Sequence, residues 1–246
     1  MAKFVLIHGM FHGAWCWDRL LPELAARGHG TIVPNLAGCA GDPTPATDCT
    51  LERWAGDVAA LIAAQDEPVI VVGHSRGGLV ASQVAENAAE QVAASVYLAA
   101  VLIPGGTAMG GMADLLEQSG YTYGMADFPV AFSADGLYLL PPDADTWFHE
   151  GYSAADRAWS QARVAPEPAL ALGAPLRLSA ERYGRIPRFY IETVQDRIMP
   201  LATQRALVAL NPPVEVLTLD TGHMPIVTHP AELADMLDAI ARRAEV

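Results

Sequence analysis

The sequence predicts an α/β fold with a mostly parallel central sheet, flanked by helices on both faces. Three observations carry that expectation. Short apolar runs rich in β-formers alternate with segments of helical spacing, the pattern of successive βαβ units. One run passes straight into Gly73-His74-Ser75-Arg76-Gly77-Gly78 and then into an Ala/Val-rich helix. Of the 246 residues, 52% are hydrophobic and only 17% charged, enough to bury a large core in one domain.

Taken in order, Phe4–Ile7 reads as a buried strand ending at His8-Gly9, and Asp18–Arg27 as a helix that stops at Gly28. Thr31–Pro34 reads as a second strand before a Gly/Pro/Asp/Thr-rich loop. Leu51–Ala64 is helical, with Trp54, Val58, Leu61 and Ile62 at one-face spacing. Val69–Val72 is a strand, a helix opens near Ser75, and Ala94–Ala100 is another buried strand. From Ile103 to about Gly184 the rhythm breaks into Gly, Pro, Met and aromatic residues. That stretch is expected to form a cap inserted over one edge of the sheet, within a single domain spanning residues 1–246. Strands return at Arg188–Thr193 and Val214–Leu219, and Pro230–Arg243 is an amphipathic helix.

A serine between small residues at a strand-to-helix turn has a mechanical use. The tight turn lifts Oγ above the carboxyl edge of the sheet, facing the new helix's N-terminus. Such a serine needs a base held by a third group, and the architecture that carries this turn places acid and histidine after later strands, in that order. Asp196 follows "RFYIET" and His223 follows "VEVLTL", so Ser75, Asp196 and His223 are the candidate catalytic residues. Asp220 is expected to close its turn, His229 to open the last helix at the surface, His74 to pack beside its strand and His149 to be exposed in the cap. Two backbone donors for an oxyanion are expected from Met10, in the loop after the first strand, and Arg76. Trp15 and Trp17 read as anchors of that loop.

With those residues in place, the chain resembles the α/β-hydrolase superfamily, and within it the plant methylesterase/hydroxynitrile-lyase family and its bacterial esterase relatives. "FVLIHGMFHGAWCWDRLLPELAARGH" is similar to that family's first strand, oxyanion loop and first helix, "GHSRGG" to its nucleophile turn, and "YIETVQDRIMP" and "GHMPIVTHPAEL" to its acid and histidine segments. The resemblance implies an α/β-hydrolase fold and a cofactor-free serine esterase working through an acyl-enzyme. Lyases of the plant type carry a threonine after the first-strand histidine and a lysine after the catalytic one. Here those positions are Gly9 and Met224, the esterase pattern. A biosynthetic esterase, thioesterase or cyclase acting on an aromatic metabolite is the alternative reading, and a ligand receptor a more distant one. Arg76 replaces a small or apolar residue, and either bonds within the scaffold or reaches toward an acidic group on the substrate.

Gly9, Phe11, Tyr123, Phe128, Trp147, Phe148 and Met224 are the candidate substrate contacts, suited to a small apolar or aromatic ester. The formal charge of −13 disfavours nucleic acid and anionic membranes as partners. Cys16, Cys39 and Cys49 have no paired spacing, and the apolar run at the N-terminus is only four residues. A reduced, cytoplasmic setting is therefore expected. His8 and His12 lack a third partner at ligand spacing, so no metal and no cofactor are expected. The resemblance leaves a homodimer open.

Overall fold

The computed structural model describes residues 1–124, 128–212 and 215–244. Strand β1 (Lys3–Ile7) leads through a 3-10 turn (Ala14–Trp17) to helix α1 (Leu21–Ala26) and strand β2 (Gly30–Ile32). Helix α2 (Leu51–Ala63), strand β3 (Val69–His74), helix α3 (Gly77–Asn87) and strand β4 (Val92–Leu98) follow. Between β4 and the next strand of the main sheet lie α4 (Met112–Gln118), β5 (Ala131–Phe132), β6 (Tyr138–Leu140), α5 (Ala144–Trp147), α6 (Ala154–Gln161) and β7 (Glu167–Pro168). The chain closes with β8 (Arg188–Thr193), α7 (Leu201–Leu210), β9 (Glu215–Leu219), α8 (Pro225–Thr228) and α9 (Pro230–Arg243).

Six strands form one sheet in the order β2-β1-β3-β4-β8-β9, every neighbouring pair parallel. Both faces are covered, which explains why the central strands are continuous apolar runs rather than alternating ones. Along β1, Phe4 and Leu6 join the core on one face with Leu233, Leu237 and Ile240 of α9. Val5 and Ile7 join the other, with Trp54 and Val58 of α2 and Leu79 and Val84 of α3. Among the described residues no helix is long and apolar enough to cross a membrane.

Local chemistry sets the element ends. Thr50 caps α2 by accepting the Arg53 N–H at 3.0 Å, and Pro230 starts α9, where its missing N–H costs nothing. Pro22 sits in the first turn of α1, and the helix runs Leu21–Ala26 rather than from Asp18 to Arg27. The fourth strand runs Val92–Leu98 rather than Ala94–Ala100, because Ala99 turns out of the extended region at φ 43°. The second strand is Gly30–Ile32, starting one residue earlier than its pattern, ending two earlier and one residue shorter. Val214, the expected start of the last strand, lies outside the described residues.

The stretch between β4 and β8 is more regular than its composition implied. Strands β5, β6 and β7 form a small antiparallel sheet. These strands are two or three residues long, below the length at which alternation becomes readable in a sequence.

Candidate active site

The site lies where the sheet's winding reverses. The chain goes from β1 outward to β2, then returns to the other side of β1 to form β3. The loops leaving β1 and β3 therefore diverge, opening a crevice at their carboxyl ends. All three catalytic candidates sit beyond carboxyl ends of strands: Ser75 after β3, Asp196 after β8 and His223 after β9.

Ser75 occupies the left-handed region at φ 54°, a conformation that costs about 1–3 kcal/mol for a non-glycine residue. The surroundings hold it there. Its N–H donates to the Leu98 carbonyl at 3.1 Å, and its own carbonyl accepts from Val101 N–H at 2.9 Å and Gly78 N–H at 3.1 Å. Two glycines make the turn sterically feasible. A Cβ on Gly73 would lie 2.6 Å from the Gly77 carbonyl oxygen, and one on Gly77 would lie 2.5 Å from that of Ile7. The helix accordingly starts at Gly77, and Ser75 projects from the turn before it.

His223 Nδ1–H donates to Asp196 Oδ2 at 2.7 Å. Asp196 is buried yet well supplied with donors. Its Oδ1 accepts the backbone N–H groups of Ile198 at 2.9 Å and Met199 at 2.8 Å, and its Oδ2 the hydroxyl of Thr193 at 2.9 Å. Those bonds offset the cost of burying a carboxylate. Gln204, on α7, braces the turn by accepting Thr193 N–H at 3.1 Å and donating to the Met199 carbonyl at 2.8 Å. The opposite side of His223 is held too: His74 Nε2–H donates to the His223 carbonyl at 2.8 Å. Burial, and then the neighbouring His223, push the His74 pKa well below its ordinary value, so it stays a neutral donor.

Ser75 Oγ and His223 Nε2 have no hydrogen-bond partner among the described residues, and both residues line one cleft. The N–H groups of Met10 and Arg76 likewise donate to nothing among the described residues, and both residues line the same cleft. It encloses about 650 Å³ of atom-free space, part of it open to solvent. Of the candidate substrate contacts, Gly9, Tyr123, Phe128, Phe148 and Met224 line it. Phe11 and Trp147 do not. Phe11 packs 6.2 Å from the Phe148 ring and Trp147 stands edge-on to Phe128 at 5.2 Å, both behind the wall.

The remaining wall is apolar, from Val101, Met109, Val130, Ile198 and Met199, with two polar exceptions, His74 and His12. No sequence pattern singles out these positions, since each is an ordinary apolar residue until the fold turns it inward. His12 Nδ1–H donates to the Met10 carbonyl at 2.7 Å, and its ring stacks on Trp15 at 5.0 Å. Trp17 is fully buried beside His74, so both tryptophans brace the loop. Burial lowers the His12 pKa to about 4 and that of His8 to about 3, leaving neutral rings along this loop.

The competing residues fall away from the cleft. Asp220 is exposed and accepts from Gln195 Nε2 at 2.9 Å. His229 is half-buried at the start of α9, its Nδ1 beside the Thr221 and Thr228 hydroxyls. His149 is not exposed as expected: it is fully buried, stacked 5.0 Å from Tyr152, and donates from Nδ1 to Asp145 at 2.8 Å. Arg76 resolves toward the scaffold, in a bidentate pair with Glu167 at 2.9 and 2.8 Å. Cys16, Cys39 and Cys49 are buried free thiols.

The chain has counterparts among known proteins. Methylesterase 7 of Arabidopsis thaliana is 31% identical over 258 residues, covering 97% of this chain and 96% of its own. The crystal structure of a pyrethroid hydrolase from Sphingobium faniae JZ-2 superposes with a TM-score of 0.82 at 27% identity, over 100% of this chain and 98% of the other. Tomato methylketone synthase I, crystallised with 2-tridecanone, gives a TM-score of 0.85 over 99% of this chain and 98% of its own; at 22% identity that likeness speaks to fold alone. The profile of the Alpha/beta hydrolase family matches residues 4–236. The chain belongs to the alpha/beta hydrolase family.

Proposed function

We propose that this protein is a serine-dependent carboxylic ester hydrolase acting on small, largely apolar or aromatic esters. The observation that carries the reading is the 2.7 Å bond from His223 Nδ1–H to Asp196, which leaves His223 Nε2 as the free face of the imidazole, in the same cleft as Ser75.

His223 Nε2 takes the proton of Ser75 as Oγ attacks the ester carbonyl. The carbonyl oxygen becomes an oxyanion that accepts from the N–H groups of Met10 and Arg76. Asp196 holds the ring orientation and stabilises the imidazolium. Collapse of the intermediate breaks the C–O bond, and His223 returns the proton to the departing alcohol. A water deprotonated by His223 then attacks the acyl-enzyme, releasing the acid and restoring Ser75. The apolar wall favours a substrate with little charge, and the resemblance to methylesterases points to a short alcohol.

Hydroxynitrile cleavage would need a cation beside His223 to receive cyanide. Met224 stands there, buried and apolar. The chain's single lysine, Lys3, starts β1 at the opposite end of the sheet and bonds Gln65 at 2.6 Å.

The test is labelling with a fluorophosphonate, and hydrolysis of a panel of p-nitrophenyl and methyl aryl esters, by wild type, Ser75→Ala and His223→Ala. The expected result is a label on Ser75 and a fall in kcat of about 10⁴–10⁶ in each variant. Full activity in Ser75→Ala sinks the mechanism.

A further inference from the structure

Arg76 and Glu167 are the strongest unexplained feature of the molecule. Their side chains are 0% and 1% exposed, and they join segments 91 residues apart. Buried ion pairs seldom repay their desolvation, and apolar pairs of similar volume often stabilise a fold as well or better. What an apolar pair cannot do is grip peptide groups, and this one grips two consecutive peptides of the oxyanion loop.

Arg76 Nη2–H donates to the Gly9 carbonyl at 3.1 Å. Glu167 Oε2, besides receiving Arg76, accepts the Phe11 N–H at 3.0 Å. His8 Nδ1–H adds a second donor to the Gly9 carbonyl at 2.9 Å. The Gly9 carbonyl and the Met10 N–H belong to one planar trans unit and point in opposite directions. Holding that carbonyl therefore turns the Met10 N–H the other way, where it meets no acceptor among the described residues. The next peptide is fixed at both ends, its carbonyl by His12 at 2.7 Å and its N–H by Glu167. Phe11 lies in the left-handed region at φ 65°, a strained state that needs such holding. Beneath, the guanidinium sits 4.7 Å from the centroid of Trp54, whose Nε1–H donates to the Ala37 carbonyl at 2.8 Å.

We propose that the buried Arg76–Glu167 pair is a positioning device that aims the Met10 N–H at the oxyanion and ties that aim to the seating of the cap. Glu167 belongs to β7, whose partner strand β6 lies within the cap. The inserted segment therefore completes the oxyanion loop as well as roofing the cleft. Neither side chain touches substrate; both act through the backbone. This inference rests on the ester-hydrolase reading above.

The test compares wild type, Glu167→Gln and the double variant Arg76→Met/Glu167→Leu. Readouts are melting temperature, kcat and KM on the best panel ester, and Ki for an aryl trifluoromethyl ketone. Ser75 adds to that ketone to give a hemiketal oxyanion, so its affinity reports the donors directly. For the double variant we expect a melting temperature close to wild type and KM within about threefold. Its kcat should fall about 100-fold and its Ki rise by a similar factor, the scale of one lost oxyanion donor. Glu167→Gln keeps the side-chain shape and one acceptor, and should fall between, about tenfold in both kcat and Ki. It decides the matter alone if the double variant does not fold.

A folded variant with wild-type kcat overturns the proposal. So does a kcat loss with unchanged ketone affinity, or a loss lying wholly in KM. Should wild type neither label nor hydrolyse any ester, both this proposal and the parent reading fall. If wild type is active, Ser75→Ala is dead and the pair variants are unimpaired, only this one falls.

Discussion

The sheet and the segment inserted between β4 and β8, the expected cap, are built from different materials. In the sheet, strands of five to seven residues such as β1, β3 and β4 are almost wholly buried, and their register is set over several pairs. Any shift of β3 against β1 would move Ser75 away from the loop that carries Met10. In the cap, the strands are two or three residues long, and Val130 and Phe132 remain more than half exposed. The sheet therefore fixes the positions of Ser75, Asp196 and His223 through strands in register, whereas the inserted segment contributes wall residues to the cleft. Substitutions in the first should destroy rate or fold, and in the second should redistribute substrates.

Asp196→Asn should show the largest effect. An amide can present its N–H to His223 Nδ1, forcing the wrong tautomer, and kcat should fall about 10⁴-fold with little change in KM. Steady-state kinetics at pH 8 checks it, and a loss under tenfold would mean that the Asp196–His223 bond only holds structure.

Acid should act next, and again through the sheet side. His8 and His12 are held neutral, with pKa values of about 3 and about 4 against 6.5 for a free ring, both by burial first. Between those values and 6.5 the unfolded chain binds the protons and the folded one does not. Stability is thus intact above pH 6.5 and declines as pH falls toward the folded values. At pH 5 each ring contributes a loss of about 2 kcal/mol. Urea unfolding at pH 7, 6 and 5 should show it. A flat profile across that window would mean that these rings are hydrated or paired in solution.

These contrasts also explain what could be read in advance. The placement of Ser75, Asp196 and His223 beyond strand ends was legible because each follows a strand whose apolar run is unmistakable, and because turn chemistry marks the positions. Gly73 and Gly77 announce a close approach that no other residue permits. Glu167 was invisible. A glutamate between two prolines in a Gly/Pro-rich stretch looks like solvent-facing loop, and only the fold brings it across 91 residues to Arg76. Thr193 and Gln204 were missed for a related reason, since a second layer of hydrogen bonds has no period or spacing. The lining residues of the inserted segment are apolar and scattered, and nothing in their order distinguishes an inward Met109 or Phe148 from an outward Phe132. The helix predicted from Asp18 shows the limit of periodicity itself, since it begins at Leu21.

Gly77→Ala tests the sheet's tolerance by a single methyl. The added Cβ would lie 2.5 Å from the Ile7 carbonyl oxygen and 2.8 Å from that of His8, all backbone, with no flexible side chain to yield. Separating β1 from the turn should cost about 3 kcal/mol and lower kcat as well, because the same shift moves Met10 relative to Ser75. Differential scanning calorimetry with parallel kinetics checks both. An unchanged melting temperature would show that the strands part without penalty.

The smallest and most selective effect should come from the cap. Phe128 lines the cleft and packs edge-on to Trp147 at 5.2 Å, with the Phe148 ring 6.2 Å away. Its side chain is half-buried rather than fully enclosed, so Phe128→Ala opens the cleft rather than hollowing out a core, and the fold should lose little stability. Substrates that fill the enlarged space regain contacts, whereas small ones lose a wall. Hydrophobic discrimination on this scale is worth about 1–3 kcal/mol. On a series of esters with a common alcohol and growing acyl groups, kcat/KM for the shortest should fall about tenfold and the optimum should move toward bulkier groups. The fluorophosphonate labelling rate should hold within about threefold, since Ser75, His223 and the donors are untouched. A uniform drop across the series, with slower labelling, would break the comparison at its root: the cap would then be setting the catalytic geometry through Phe128 as well as through Glu167, and wall and machinery would be one unit.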